Sequence, residues 1–397
     1  MRLLTLKRRV WITGILFVLC LVYVTGCTPL ASNIQPQADT SRQLVVHVLD
    51  VGQADSILLQ FPSGQNLLID GGNNGDGELI ANYLRGEGVE RLDFVIGTHP
   101  HEDHIGGLDE LIKSFPVGQV YLPKVTQNTT SFNDLLQCIK NKGLKVTEAK
   151  AGVKLAVRTG VTATMLAPIR DDYNELNDWS VVLQVVYGQI SLLFAGDAGP
   201  AAEEDLVNSG QNLKADVLKV GHHGSATSSS AAFLQQVQAR YAIISVAKQN
   251  DYGHPSPATL QRLQNIGARI YRTDLSGTIV FQTDGQSVQF EQDLSLGQAM
   301  TISSVDRKAE VVSLKNTGAE GIDVSGWTLV SEVGNQRFIF PAGTKLAAGT
   351  VLRITSGPTA KAGPGTLVWS KENIWNNDGD PAVLLDAQGH QVSRLDR

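Results

Sequence analysis

The hydrophobic pattern over most of the chain predicts a mixed α/β domain. Short apolar segments, many ending in Asp, His or Gly, recur between residues 44 and 290 and alternate with segments of helical spacing. Strands are predicted at residues 44–49, 56–60, 66–70, 92–97, 119–122, 162–166, 180–187, 190–194, 215–220, 241–246, 277–281 and 288–290. Helices are predicted at residues 77–86, 109–114, 133–142, 200–208, 231–238 and 257–267. This mixture of strand pairs and βα units predicts two sheets with helices on the outside.

The pattern changes after residue 290. A polar stretch at residues 291–299 predicts a linker between domains. From Met300 onwards, short alternating segments are separated by turns, and no helical pattern interrupts them. Residues 300–397 are therefore predicted to form a small immunoglobulin-like β-sandwich after an α/β domain at residues 44–290.

The N-terminal segment has the features of an export signal. Basic residues precede an apolar run at residues 10–24, which is short for a membrane-spanning helix and typical of a signal peptide. The run ends in Thr25, Gly26 and Cys27, which resembles a bacterial lipobox. We expect a lipoprotein signal over residues 1–27, a lipid on Cys27 that anchors the exported chain to a membrane, and a flexible tether at residues 28–43. An uncleaved anchor helix and an ordinary signal peptide remain alternatives.

Composition and charge describe an ordinary globular protein with an acidic body. Hydrophobic residues make up 42% of the chain and charged residues 18%. The first 26 residues carry four bases and no acid, so the remainder carries 29 bases against 39 acids. This balance argues against tight electrostatic binding of long nucleic acids, although bound cations would supply local positive charge. Beyond the N-terminal segment Cys138 stands alone, so packing and not a disulfide must hold the fold.

A cluster of metal-binding residue types lies between a predicted strand and a predicted helix. His99, His101, Asp103 and His104 fall within six residues. Imidazole nitrogen and carboxylate oxygen are ligands that suit Zn²⁺, Mn²⁺ or Fe. A polar surface loop is the alternative interpretation. Buried together without a ligand, three imidazoles would need many hydrogen-bond partners.

The HxHxDH pattern resembles the metallo-β-lactamase superfamily, whose fold is an αββα sandwich. The resemblance implies two divalent metal ions, with His99 and His101 at one and Asp103 and His104 at the other. It also implies a bridging carboxylate at a later strand end, where this chain has Asp197.

Two further ligand positions are left open by this resemblance. His222 and His223 follow a predicted strand, and the glycine after His223 slightly favours that residue as the ligand. Where many members place another histidine, this chain offers Asn177 or Asp178. An oxygen-rich site favours a harder ion, so Mn²⁺ competes with Zn²⁺.

Several short sequence motifs narrow the resemblance to the metallo-β-lactamase domain of the ComEC competence proteins. They are residues 48–56, 68–72, 222–225 and 252–255, and they occur in the expected order. This chain has Ala54 where such proteins usually have glycine. The resemblance implies a nuclease or phosphodiesterase acting on DNA, whereas composition and spacing alone imply only a metallohydrolase.

Candidate residues for chemistry and substrate contact accompany these ligands. Asp103 and His254 are the candidate catalytic residues, and His254 could donate a proton to a phosphate or leaving oxygen. A turn-stabilising role is the alternative for His254. Lys219 and Ser225 are candidate substrate contacts, although a solvated strand-end lysine is the safer interpretation of Lys219.

Three aspartates are candidates for a supporting layer behind the ligands. Asp50 is expected to orient a ligand histidine. Asp55 could do the same or could cap a turn, and Asp70 is similarly ambiguous.

The C-terminal region resembles the lamin-tail domain. The resemblance rests on residues 311–318, 324–329 and 340–349. Its ligand is not indicated by the sequence. The leading hypothesis for the whole chain is an exported metal-dependent nuclease. The alternatives are a hydrolase of a cell-wall phosphodiester, lactone or β-lactam, and a surface binding protein without catalytic activity.

Overall fold

A computed structural model describes residues 43–387, 389 and 391–396. The predicted signal peptide, the lipid site at Cys27 and the tether up to residue 42 lie outside the described residues. Within the described part, none of the helices has the length and apolar character needed to cross a membrane.

The first sheet has eight strands, which run in the order β14-β13-β1-β2-β3-β4-β5-β6. Strands β3 to β6 are parallel, so their carboxyl ends share one edge of the sheet. The strands of this sheet are β1 (Leu44–Val48), β2 (Ile57–Gln60), β3 (Asn66–Ile69), β4 (Leu92–Ile96), β5 (Val117–Leu122), β6 (Val146–Glu148), β13 (Ile279–Thr283) and β14 (Val288–Phe290).

The second sheet has six strands in the order β12-β11-β10-β9-β8-β7. Strands β9 to β12 are parallel and present their carboxyl ends together. The strands are β7 (Val161–Ala167), β8 (Val182–Tyr187), β9 (Ile190–Phe194), β10 (Val217–Lys219), β11 (Tyr241–Ile244) and β12 (Arg269–Arg272). Buried side chains of both sheets, such as Leu59, Phe94, Leu183 and Phe194, form one core between them.

Helices cover the outer faces of both sheets. Leu58 and Leu68 of the first sheet pack with Ile80 and Leu84 of a helix in one core, and a third core lies behind the second sheet. The helices are α1 (Gly77–Gly86), α2 (Glu102–Ile105), α3 (Leu108–Ser114), α4 (Thr130–Asn141), α5 (Pro200–Asn208), α6 (Ala231–Val237), α7 (Pro257–Asn265), α8 (Thr273–Ser276) and α9 (Glu291–Ala299). The predicted αββα sandwich is confirmed.

The C-terminal region is a β-sandwich, as predicted. Two four-stranded sheets, β15-β16-β21-β22 and β19-β18-β23-β24, enclose a core that contains Trp327 and Trp375. The strands are β15 (Met300–Asp306), β16 (Val311–Asn316), β17 (Ile322–Asp323), β18 (Thr328–Ser331), β19 (Gln336–Ile339), β20 (Lys345–Leu346), β21 (Val351–Thr355), β22 (Thr366–Val368), β23 (Ala382–Leu385) and β24 (Gln391–Leu395). The stretch interpreted as a linker forms helix α9, which continues directly into β15, and Arg269 of β12 forms an ion pair with Asp293 of α9.

Candidate metal centre

The candidate ligands meet where parallel strands of the two sheets end. The loop with His99 follows β4, Asp197 follows β9, and His222 and His223 follow β10. Asp103 and His104 lie in the short helix α2 immediately after the first of these loops. Carboxyl ends of parallel strands are the usual place for a site in α/β sheets, because side chains on neighbouring loops converge there.

Four of these residues form a compact cluster, which we call the Asp103 cluster. The ligand atoms of Asp103, His104, Asp197 and His223 all lie within 4.8 Å of one another. His223 Nε2 is 3.2 Å from Asp103 Oδ2, and His104 Nε2 is 3.3 Å from Asp197 Oδ2. One cation could therefore contact all four side chains.

A second group of imidazoles adjoins the cluster. His99 Nε2 is 2.9 Å from His101 Nδ1, and the rings of His99 and His104 are 4.2 Å apart. On another side, His222 Nε2 is 3.8 Å from Asp197 Oδ2. Asp197 Oδ2 thus faces both His104 of the Asp103 cluster and His222 outside it, which suits a carboxylate shared between two ions.

The chemistry of the donor atoms fits a metal ion. Within the described residues, His104 Nε2 and Asp197 Oδ1 are buried and have no hydrogen-bond partner, and the same is true of Asn177 Oδ1. Unpaired buried polar atoms cost about 1–3 kcal/mol each, a penalty that a cation in their midst removes. Imidazole and carboxylate ligands suit Zn²⁺ or Mn²⁺.

The electrostatics of the cluster also require positive charge. Burial raises the pKa of Asp197, but the facing His104 and His223 outweigh it and hold the pKa well below its usual range. Burial lowers the pKa of His104, but Asp197, Asp70 and Asp103 outweigh it and raise the pKa well above its usual range. A proton on His104 and a metal ion compete for the same carboxylates, so we expect metal affinity to fall in acid.

Asp70 fixes the orientation of His104. Its Oδ2 lies 2.7 Å from His104 Nδ1, and Thr98 donates to both carboxylate oxygens from its backbone N–H and its hydroxyl, each at 2.7 Å. All three side chains are buried. This contact holds Nδ1 and leaves Nε2 facing the cluster. Carboxylates commonly orient metal-bound histidines in this way, by a hydrogen bond to the ring nitrogen that does not bind the metal.

Asp55 and Lys219 form a buried ion pair behind His223. Lys219 Nζ is 2.8 Å from Asp55 Oδ2, and both side chains are 1% exposed. Asp55 Oδ1 lies 3.6 Å from His223 Nδ1, which also faces the carbonyl oxygen of Ser245 at 3.1 Å. The expectation that Lys219 contacts substrate or solvent is therefore wrong, because its ammonium group points into the protein.

The expected role of Asp50 is also wrong. Asp50 is exposed, its Oδ1 accepts a hydrogen bond from Gly52 N at 3.3 Å, and no contact with a histidine is found among the described residues. Asp50 therefore stabilises the turn, whereas Asp55 and Asp70 are the aspartates that lie beside candidate ligand histidines.

The geometry distinguishes Asn177 from Asp178 as the candidate metal ligand in this part of the chain. Asp178 Oδ1 accepts a hydrogen bond from Ala202 N at the start of α5, at 3.0 Å, and Asp178 is not part of the Asp103 cluster. Asn177 Nδ2 lies 3.4 Å from the ring nitrogens of His222. Asn177 is the better candidate, and His222 lies beside it.

The two adjacent histidines differ in environment. His223 is 2% exposed and belongs to the Asp103 cluster, whereas the side chain of His222 is 28% exposed. Both have positive φ, at 49° and 51°, which is costly for residues other than glycine and recurs at functional sites. The turn delivers both rings to the site, His223 into its interior and His222 towards its opening.

An open cleft of about 290 Å³ leads to the cluster. His254 lines it, and burial together with the charge of His222 lowers the pKa of His254. Ser225 is not among the residues lining this cleft, and its hydroxyl lies 3.0 Å from that of Thr227. The lining residues are Gln53, His101, Glu102, Asp103, Asp197, His222, His223, Tyr252 and His254.

Sequence reasoning assigned no role to three of the residues that line the cleft. Gln53 and Tyr252 belong to the quoted motifs around Gly52 and Gly253, so their positions were available, but no ligand chemistry singled them out. Glu102 lies between two candidate ligands and was passed over for the same reason.

Comparisons with known families agree with this architecture. Residues 49–248 match the model of the metallo-beta-lactamase superfamily. Residues 294–397 match the model of the lamin tail domain.

Several proteins of known sequence or structure are similar to parts of the chain. ComE operon protein 3 of Bacillus subtilis is 34% identical over 60% of this chain and 33% of that protein. Competence protein ComA of Neisseria gonorrhoeae is 33% identical over 63% of this chain and 34% of its own. The chain thus spans about a third of the length of these relatives. CmlA, a diiron beta-hydroxylase from Streptomyces venezuelae, is 15% identical with a TM-score of 0.41, and the match covers 61% of this chain and 54% of CmlA.

Proposed function

Because the chain belongs to the metallo-β-lactamase superfamily, we propose that it is a metal-dependent phosphodiesterase that cleaves DNA outside the cytoplasm. The observation that carries the proposal is the Asp103 cluster itself. It brings two carboxylates and two imidazoles within 4.8 Å, holds buried atoms without hydrogen-bond partners, and opens to a cleft.

The residues suggest how two ions would be held. Asp103, His104 and His223 would bind one ion. His99 and His101 would bind the other, with His222 or Asn177 beside them, and Asp197 would be shared. Bound divalent ions polarise phosphoryl oxygens and lower the pKa of water enough for it to attack at neutral pH.

His254 is suited to donate a hydrogen bond to the phosphate or to the leaving group. Its lowered pKa keeps the ring neutral at pH 7. Gln53 Nε2, a donor only, lies 3.4 Å from His254 Nδ1, while Gln53 Oε1 accepts from Ala247 N and so fixes the orientation of the amide. Nδ1 is then an acceptor, and the ring proton is on Nε2, from which the neutral ring can donate a hydrogen bond to a phosphate or leaving oxygen.

DNA is the proposed substrate for two reasons. One relative is named competence protein ComA, and a cluster that would hold two cations suits the non-bridging oxygens of a phosphodiester. The signal-like N-terminal segment and Cys27 support export and lipid anchoring as part of the same proposal.

The test uses the full-length chain purified in detergent. With Mn²⁺ or Zn²⁺ we expect cleavage of plasmid DNA, with EDTA none, and in His101→Ala a loss of both cleavage and bound metal measured by mass spectrometry. Glu78→Gln, an exposed acid of α1, is the control and should behave as wild type. Protein that holds metal but hydrolyses neither DNA nor bis-p-nitrophenyl phosphate would contradict the proposal. Hydrolysis of the small ester alone would instead favour another phosphodiester substrate.

A further inference from the structure

Tyr252 is an aromatic side chain displayed to solvent beside the candidate metal centre. Its exposure is 72%, and it is the only aromatic residue among the exposed large hydrophobic residues of the described chain. It lies on the rim of the cleft that opens onto Asp103 and His223. A large apolar ring left in water at the mouth of a site favours an interaction with a ligand, because burial of the ring would be favourable.

The Tyr252 ring is the outer member of a series of rings that leads inward. It stacks on His254 with centroids 5.7 Å apart and planes inclined by 26°. His254 in turn lies 6.5 Å from His223, with the planes inclined by 24°. A flat group on the outer face of Tyr252 would therefore continue a stack that ends in the Asp103 cluster.

The loop that carries Tyr252 is held in place before any ligand arrives. Asn250 Oδ1 accepts hydrogen bonds from Tyr252 N at 3.2 Å and from His254 N at 2.9 Å. Asn250 Nδ2 donates to His254 O at 2.7 Å, and Gln53 accepts from Ala247 N at 3.2 Å. A fixed platform loses little conformational entropy on binding, which favours affinity.

The cleft offers little other attraction for a polyanion. None of the described residues that line it is Lys or Arg, and one of them is the exposed acid Glu102. Bound cations would hold only the phosphate at the reaction centre. Within the cleft, affinity for the rest of a nucleic acid would then come from contacts that do not depend on charge, of which base stacking on an aromatic ring is the usual one.

We propose that Tyr252 is a stacking platform for an unpaired nucleobase next to the phosphodiester that is cleaved. The proposal rests on the proposed function and narrows its substrate class to single-stranded DNA or the unpaired end of a duplex. Bases inside a duplex are already stacked on their neighbours and must be unstacked at a cost before they can reach such a ring.

The experiment combines changes in the protein with changes in the substrate. Steady-state cleavage of a short single-stranded oligonucleotide is compared for wild type, Tyr252→Ala and Tyr252→Phe. We expect KM to rise about tenfold in Tyr252→Ala, with kcat nearly unchanged, because stacking stabilises the bound substrate. Tyr252→Phe, which keeps the ring, should remain close to wild type.

The substrate is then altered at the base that would stack. An abasic residue beside the cleaved bond should raise the KM of wild type by about the same factor and have little further effect in Tyr252→Ala, since the two changes remove one contact. Blunt duplex should be cleaved less efficiently than single strand by wild type, and this preference should shrink in Tyr252→Ala.

The outcomes separate this inference from the proposed function. Metal-loaded wild type that cleaves no oligonucleotide would overturn the proposed function and the platform together. Wild type that cleaves DNA, with KM unchanged in Tyr252→Ala or with additive effects of the abasic residue, would overturn the platform alone. An equal loss in Tyr252→Ala and Tyr252→Phe would also overturn it, because stacking would then not be the contact that was lost.

Discussion

The α/β domain and the C-terminal sandwich both bury carboxylates, but among the described residues only the α/β domain keeps buried carboxylate oxygens without a hydrogen-bond partner. In the sandwich, Glu310 accepts hydrogen bonds from Ile374 N at 2.8 Å and Trp375 N at 3.2 Å. Asp380 likewise accepts from Ser331 Oγ at 2.7 Å and from Val333 N at 3.0 Å. In the α/β domain, Asp197 has one carboxylate oxygen without any hydrogen-bond partner.

This contrast shows that burial of charge alone does not identify a functional site. Between Met300 and Asp396, the described part of the sandwich has no buried side-chain nitrogen or oxygen without a partner. Its acids organise loops by accepting backbone N–H groups. The unpaired atoms of His104 and Asp197 instead belong to the Asp103 cluster, and a shared cation would satisfy them.

The largest expected effect comes from exchanging one buried acid in each domain. Asp197→Asn should lower phosphodiester cleavage by more than about 100-fold, because even changes behind the ligands typically cost 10- to 100-fold. Metal content and p-nitrophenol release are the measurements. Asp380→Asn is the counterpart, and it should lower the melting temperature while metal content per folded molecule stays constant. Full metal occupancy in Asp197→Asn would show that its carboxylate is not a ligand.

A smaller effect is expected one layer behind the ligands. Asp70→Asn should weaken metal affinity by about 10- to 100-fold, since the contact that fixes His104 Nδ1 is lost. Competition with a chromogenic chelator measures this. Asp50→Asn, an exposed turn acid, should bind metal as wild type does. Equal losses in both variants would contradict the distinction drawn between these two aspartates.

In the sandwich the expected effect is on stability and not on chemistry. Glu310→Ala removes an acceptor of two backbone N–H groups and the Ser356 hydroxyl, and we expect the free energy of unfolding to fall by about 1–3 kcal/mol. Denaturant unfolding followed by Trp fluorescence measures it. Glu310→Gln keeps one acceptor oxygen and should lose less. A change in kcat of the folded Glu310→Ala protein would mean that this acid influences the reaction.

The smallest effect concerns a buried histidine that is satisfied within the fold. His47 lies 2.9 Å from the Tyr83 hydroxyl and 3.2 Å from Gln60 Oε1, and burial lowers its pKa below 6.5. Because the unfolded chain takes up the proton first, stability due to His47 should fall as pH drops below about 6.5. Each unit by which the pKa is lowered corresponds to about 1.4 kcal/mol. We expect the difference in free energy of unfolding between wild type and His47→Gln to become smaller as the pH falls from 7.5 to 5. A difference that stays constant with pH would contradict this prediction.

The fold and the histidine-rich motif were predictable from the sequence because both depend on patterns among residues that are close together in the chain. Alternating and helical apolar spacing located most strands and helices, and the contiguous His99 to His104 motif located the centre. Short strands such as β6 and β12 were missed, since three or four residues carry little pattern.

Side-chain direction was not predictable, because it depends on turns and on distant partners. Asp50 and Asp55 lie in one loop, and the turn at Gly52, with φ of 73°, exposes the first while the second is buried. The partner of Lys219 lies 164 residues away in the chain. No local pattern could show that its ammonium group is buried.

The ion pair between Asp55 and Lys219 constrains how the sequence can diverge. It joins the loop before β2 of the first sheet to the end of β10 in the second. Replacing either residue alone would leave the other charge buried without a partner, which lowers the free energy of unfolding by about 3–5 kcal/mol. Evolution can therefore abandon the pair only through compensating mutations, and an alignment of close homologues should show positions 55 and 219 covarying or both invariant.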